Sequence, residues 1–296
     1  MFVEYGKTLR MIRQQKGITL KQLADNICSV SFLSKFERGD SDITLSLMTK
    51  LLDKLMINFD EFLYIHNDYQ PDQLEQFFKK AGTAFYNRDA KQLKQLKETA
   101  LKKWKQYSVE TYHYNAIMLE IYESIVDPTY TVEGLKEYNI QLLSDYLFRV
   151  EVWGDYELTL YSATLFLLEP DMVILLSRTA YEKSARFKDY KKANESITAV
   201  LFNTIIFLLG SVNRFKEEFT YQKEFMEFIS YLEKIALPEK NLMEKIQIIE
   251  LKGAYDIRIG NKEEGISKIK KAIRILNDLN STKLANNIEQ YLLQII

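Results

Sequence analysis

Apolar residues recur along this chain at intervals of three and four almost from end to end, the spacing of a buried stripe on a helix. In the first stretch, Leu9 and Ile12 face inward between Tyr5 and Gln15. It stops at Gly17, a residue suited to the left-handed turn that closes a helix. Thr19 followed by Gln22 forms a T-x-x-Q capping box and starts a second helix striped by Leu20, Leu23, Ala24 and Ile27. Ser29 caps a third helix that ends at Gly39, Thr44 caps a fourth through Leu55, and Asn58 caps a fifth through His66. Five short helices with brief turns predict a compact bundle over residues 1–66. The polar run "HNDYQPDQ", with Pro71, marks a linker at 67–71. Helical spacing resumes over 72–296, so the expected fold class is all-α.

The third helix has two unlike sides. In "CSVSFLSKFERGD", Leu33 and Phe36 fall on one face, while Ser31, Ser34, Lys35 and Arg38 share the opposite one. Charge sharpens the contrast. From Tyr5 to Arg38 there are seven Lys and Arg against two acids, whereas Asp40 to Glu61 holds two Lys against five acids. The whole chain, with 40 cationic and 41 acidic residues, has no net basic character, so a footprint for nucleic acid must be local. A helix whose outward side is Ser, Ser, Lys and Arg can enter a major groove, and its cations can release counterions from phosphates.

Those residues carry a resemblance. "LRMIRQQKGITLKQLADNICSVSFLSKFERG" resembles the helix-turn-helix of phage-repressor type found in many bacterial regulators, with its KG turn, its "LA" in helix two and its closing "ERG". The resemblance implies that Ser31, Phe32, Ser34 and Lys35 face base edges or the adjacent backbone, that Arg10 and Lys21 lie near phosphates, and that Arg38 does either. Phe32 could touch a thymine methyl or pack on the flank of helix two. Arg13 and Glu37 match a pair that ties helix one to helix three inside such bundles. Two positions depart from the pattern: Leu20 stands where the family has Gln, which removes one expected phosphate contact, and the spacing from Leu23 to Gly39 is one residue shorter.

Beyond the linker the chain repeats a helix pair. In "IELKGAYDIRIGNKEEGISKIKKAIRILNDL", Gly253, Gly260, Gly265, Ile269 and Ala272 fall where a tetratricopeptide repeat has its small and apolar residues, and Asp256 where it prefers an aromatic. "AGTAFYNRDAKQLKQL" and "LGSVNRFKEEFTYQKEF" are weaker echoes. The expectation is an α-solenoid of about five degenerate pairs, with a concave side able to hold an extended peptide. Candidate contacts for such a ligand are Arg149, Trp153 and Tyr156 in "LFRVEVWGDYELTLYS", Arg178 and Arg186 two turns apart on one predicted helix, and Asn203, an amide interrupting the most apolar helix.

A DNA-binding bundle followed by tetratricopeptide-like helices resembles the Rgg family of Gram-positive quorum-sensing regulators, with "FLSKFERG" and "RVEVWGDYE" its most family-like phrases. The resemblance implies a transcription regulator that binds double-stranded promoter DNA as a homodimer and responds to a short hydrophobic signalling peptide in the cytoplasm. Some relatives are redox-linked through a cysteine in the DNA-binding domain; the resemblance does not place Cys28 there.

Other classes fit poorly. Only His66 and His113 are present, with no HExxH, CxxC, GxSxG or Gly-rich phosphate loop, so neither an enzyme nor a bound metal or cofactor is expected. A single cysteine precludes an internal disulfide framework and points to a reducing compartment. The start "MFVEYGKTLR" lacks the apolar core of a secretory signal, and "AVLFNTIIFLLG" is too short to span a bilayer. The remaining rival is a helical adaptor whose bundle packs on protein instead of DNA, which the basic half of the bundle argues against.

Overall fold

The computed structural model describes residues 5–127, 135–187, 189–236, 239 and 241–296. The first four residues, part of the start read above, lie outside them. Among the described residues the regular structure is helical throughout, and contacts divide the chain into two compact units between Tyr86 and Asn87.

In the first unit α1 (Tyr5–Gln15), α2 (Leu20–Ala24), α3 (Val30–Arg38), α4 (Leu45–Lys54) and α5 (Phe59–His66) fall where the caps place them. Thr19 and Gln22 form a complete capping box, and Ser29, Thr44 and Asn58 each accept a backbone N–H from the turn they cap. Gly17 and Gly39 sit at φ +68° and +83°, the left-handed conformation that closes α1 and α3. Leu9, Ile12, Leu23, Leu33, Phe36, Met48, Leu51, Leu52 and Phe62 meet in one apolar core. The division of units differs from the sequence expectation: α6 (Gln73–Tyr86) groups with the bundle, and the second unit begins after it instead of at 72.

Helices α1 and α3 touch backbone to backbone. A Cβ on Gly6 would overlap the Phe36 carbonyl, so only glycine permits this approach. Beside it, Arg13 Nε and Nη2 each donate to a different oxygen of Glu37, both at 2.7 Å, with both side chains buried. Arg13 Nη1 also donates to the Ile18 carbonyl at 2.7 Å, so the guanidinium holds α3 and the α1–α2 turn together. The hydrogen bond to Glu37 raises the Arg13 pKa against the opposing effect of burial.

The second unit holds α7 (Ala90–Tyr107), α8 (Glu110–Val126), α9 (Leu135–Arg149), α10 (Asp155–Thr164), α11 (Pro170–Ser184), α12 (Lys191–Leu209), α13 (Gln222–Ala236), α14 (Leu242–Arg258), α15 (Lys262–Asp278) and α16 (Thr282–Ile295). Neighbours in sequence pack on one another, α7 on α8, α11 on α12, α12 on α13, α14 on α15 and α15 on α16. Helices two apart, α10 and α12, and α12 and α14, also touch. That is the stacking of a helical-repeat array. The echo at "AGTAFYNRDAKQLKQL" is the exception, because the division between the units cuts it.

The α14–α15 pair is the tetratricopeptide-like unit of the sequence. A Cβ at Gly265 would lie 2.5 Å from the Gly253 carbonyl oxygen and 2.6 Å from Ile257, and one at Gly253 would lie 2.6 Å from Ile269. Asp256, which replaces the usual aromatic, is buried and accepts from Lys268 Nζ at 2.6 Å across the pair. Helix α12 is longer than the apolar dodecamer first suggests. Its 19 residues are long and apolar enough to cross a membrane by length and composition, yet half of that stretch is buried and it packs on four helices of its own unit.

Two stability outcomes follow from these contacts. Arg13→Ala leaves the Glu37 carboxylate buried without its partner, which costs roughly 3 to 5 kcal/mol; thermal unfolding followed by circular dichroism should show a lower Tm, and an unchanged Tm contradicts the buried pairing. Gly265→Ala forces α14 and α15 apart at a cost of about 1 to 3 kcal/mol; the urea midpoint of the full chain should fall, and a midpoint equal to wild type contradicts the close approach.

Candidate nucleic-acid interface

Helix α3 is presented by its inward residues. Leu33, Phe36 and Glu37 are buried, which turns Ser31, Lys35 and Arg38 outward into solvent and leaves Phe32 and Ser34 half-buried at the edges. The N-terminus of α3, where Ser29 Oγ accepts the Phe32 N–H at 3.1 Å, is open to solvent. Arg10 on α1 and Lys21 on α2 are exposed as well. The residues named from the sequence therefore occupy one bundle, with the Ser31 hydroxyl and the Lys35 ammonium of α3 turned outward.

Arg38 is held in a way the sequence did not suggest. Its Nε donates to Asp40 Oδ2 at 2.8 Å and its Nη1 to Ser34 Oγ at 2.8 Å. Asp40 thus aims the guanidinium along the outer face and offsets part of its charge, and Ser34 is already engaged. The available signal was an acid two residues beyond Arg38, past the left-handed Gly39. Leu20, in place of the usual Gln, is half-buried and packs on the bundle core. Cys28 also packs there, and burial pushes its thiol up from the usual cysteine range.

In the second unit the sequence-derived ligand residues separate into five settings. Arg149 and Tyr156 belong to one cluster: Arg149 Nη2 donates to the Tyr114 hydroxyl at 3.4 Å, and Tyr114 stacks on Tyr146 at 4.4 Å. Tyr146 donates to Glu157 at 2.7 Å, and the Tyr156 hydroxyl lies 3.1 Å from the Thr111 carbonyl and 3.0 Å from Asn115 Oδ1. Burial raises the pKa of both tyrosines well above the ordinary phenol, so both stay protonated donors.

Trp153 is a correction. It is 0% exposed, its indole N–H donates to the Leu147 carbonyl at 3.0 Å, and it stands in the main core, so it offers no surface to a ligand. Arg178 and Arg186 do not share a helix, because α11 ends at Ser184 and Arg186 lies in the following 3₁₀ turn (Ala185–Phe187). Arg178 forms a two-pronged bond to Glu227 at 2.9 and 2.7 Å, while Arg186 is exposed. Asn203 is a second correction: it is exposed, not buried, and donates to Ser162 Oγ on α10 at 2.9 Å. The buried polar residue of α12 is its neighbour Thr204, which joins Ser177 at 2.7 Å and through it Tyr161 at 2.7 Å. Turning Asn203 outward creates a face of α12 made of Ala199, Phe202, Asn203 and Ile206, which the sequence reading missed because it took the whole helix as core.

Two family models match the chain. Residues 93–290 match the C-terminal domain of the HTH-type transcriptional regulator Rgg, and residues 9–62 match a helix-turn-helix family. Among solved structures, the Streptococcus dysgalactiae SHP pheromone receptor Rgg2 is 26% identical with a TM-score of 0.78, over 98% of this chain and 100% of that one. A candidate transcriptional regulator from Listeria monocytogenes EGD-e shares the fold at 20% identity and a TM-score of 0.82, over 99% of this chain and 97% of that one. PrgX in complex with cCF10 shares it at 17% identity and a TM-score of 0.68, over 99% and 100%. The Rgg C-terminal match alone spans more than half of the chain, and the chain belongs to the Rgg family of helix-turn-helix transcriptional regulators.

Proposed function

We propose that this regulator binds promoter DNA as a homodimer in the cytoplasm, with α3 in the major groove, and that a short hydrophobic signalling peptide on its second unit controls that binding. The observation that carries the DNA reading is the split of α3 into a buried side, fixed by Leu33, Phe36 and the Arg13–Glu37 bond, and an exposed side of Ser31, Lys35 and Arg38. Groups held this way are preorganised donors for base edges and phosphates. Arg10 and Lys21, on neighbouring helices, supply further phosphate contacts.

The peptide reading is supported by the relatives: Rgg2 is a receptor for SHP pheromones, and PrgX was crystallised with cCF10. In this chain the exposed α12 face, apolar apart from Asn203, offers side-chain packing and one amide for a peptide main chain. Arg149, Tyr156, Arg178 and Arg186 are the further polar candidates. A peptide shifts the regulator between states only if it binds one placement of the two DNA-binding heads better than another.

Electrophoretic mobility shift on duplex DNA tests the DNA reading. Wild type should shift a promoter duplex with affinity that falls steeply as salt rises, and a protein that shifts no duplex at 50 mM salt would be the adaptor instead. Lys35→Ala should weaken duplex binding by roughly 5- to 100-fold, the range of one lost major-groove or phosphate contact. The same variant should keep wild-type affinity for a peptide captured on the full chain from a producing culture and identified by mass spectrometry. Loss of both activities contradicts separate sites.

A further inference from the structure

Helix α7 carries a charge pattern that neither the core nor the recognition helix accounts for. It holds six of the second unit's lysines, at 91, 94, 97, 102, 103 and 105, and a single acid, Glu98, although that unit as a whole carries 29 cations against 30 acids. Two of the six have work inside the fold: Lys97 pairs with Glu123 at 2.5 Å, and Lys103 lies over the Tyr112 ring at 5.6 Å. The other four, Lys91, Lys94, Lys102 and Lys105, are all exposed, and among the described residues none has a carboxylate partner. At 100° per residue they fall within an arc of about 80° and extend over about 21 Å of helix. Glu98 lies inside that arc and leaves the face three charges positive. The buried side of the helix, Leu93 and Ala100, presses on α8, so this face is fixed outward.

We propose that the lysine face of α7 binds the phosphate backbone of duplex DNA, a sequence-blind contact in addition to the one made by α3. The inference rests on the reading of the chain as a DNA-binding regulator. The chemistry favours a duplex over other polyanions. A membrane-surface helix places exposed bulky apolar residues beneath its lysines, whereas on α7 Leu93 and Ala100 are buried, Leu96, Leu101 and Trp104 are half-buried, and only Tyr107 at its end is exposed. A single-strand site needs stacking platforms between its cations, and the arc holds only Lys and Glu. A duplex presents one charge per about 1.7 Å of axis, so a 21 Å row of four ammonium groups meets phosphates along its whole length without needing base contacts. The contact adds affinity and salt dependence but no sequence preference.

The test is fluorescence anisotropy of the full chain on a mixed-sequence 40-base-pair duplex between 50 and 200 mM salt. The fourfold variant Lys91→Gln, Lys94→Gln, Lys102→Gln and Lys105→Gln keeps helix propensity. The matched control removes four exposed cations of α15 by Lys262→Gln, Lys270→Gln, Lys271→Gln and Arg274→Gln. At about 0.9 per neutralised phosphate, the loss of four lysines from α7 should make the slope of log affinity against log salt shallower by about 3.6, and the control should leave it unchanged. The two half-variants, at 91 and 94 and at 102 and 105, should each give about half the change, which preserves the test should the fourfold variant misfold. A slope equal to wild type, or an equal change in the control, overturns the inference while the DNA reading stands. So does a variant that keeps its duplex slope and loses binding to phosphatidylserine vesicles. Failure of wild type to bind any duplex overturns the DNA reading itself and the inference with it.

Discussion

The bond between Arg13 and Glu37 is the constraint on which the recognition surface depends. A helix of nine residues is too short to hold its own orientation, and its stability comes from packing. Three inward residues of α3 set its rotation: Leu33 and Phe36 enter the apolar core, and Glu37 is fixed by two hydrogen bonds from α1. Rotation about the helix axis would expose an unpaired carboxylate acceptor or bury Lys35. Gly6 completes the arrangement by letting the α1 backbone lie directly on the Phe36 carbonyl. The outward display of Ser31 and Lys35 is thus a consequence of what lies on the other side of the helix.

The second unit solves a different problem with similar means. Its helices approach closely where glycine faces glycine, as in α14 and α15, and several of its buried polar groups bond to one another in sets. Asp256 meets Lys268, Tyr161 meets Ser177 and Thr204, and Arg258 lies between Phe215 and Phe219 while donating to the carbonyls of Leu209 and Glu217. Each set cross-links separate helices and gives the array a single packing, which a face such as that of α12 needs to present fixed contacts.

The first bundle was legible because its signals are local. Thr19, Ser29, Thr44 and Asn58 are caps whose bonding partners lie three residues away, so the starts of these helices could be read to the residue, whereas the second helix, expected to reach Ile27, ends at Ala24. The Arg13–Glu37 pair came from family resemblance, since a contact 24 residues apart leaves no periodic trace. The second unit was less legible for the same reason. Whether Asn203 faces in or out depends on what covers α12, and periodicity fails on a helix apolar nearly all round. Trp153 read as a site residue because it sits among charges in sequence, while the fold turns its ring into the core. Asp40, which positions Arg38, lay in view but beyond a turn whose geometry the sequence does not specify.

DNA recognition by this chain depends on the outward side chains of α3 meeting a duplex. The most direct measurement is a structure of the full chain bound to a duplex taken from a promoter it occupies. It should place Ser31 and Lys35 within hydrogen-bonding distance of base edges or phosphates in the major groove, with the Arg13–Glu37 bond intact. A complex in which α3 faces away from the duplex, or in which that bond is broken and the helix rotated, contradicts it.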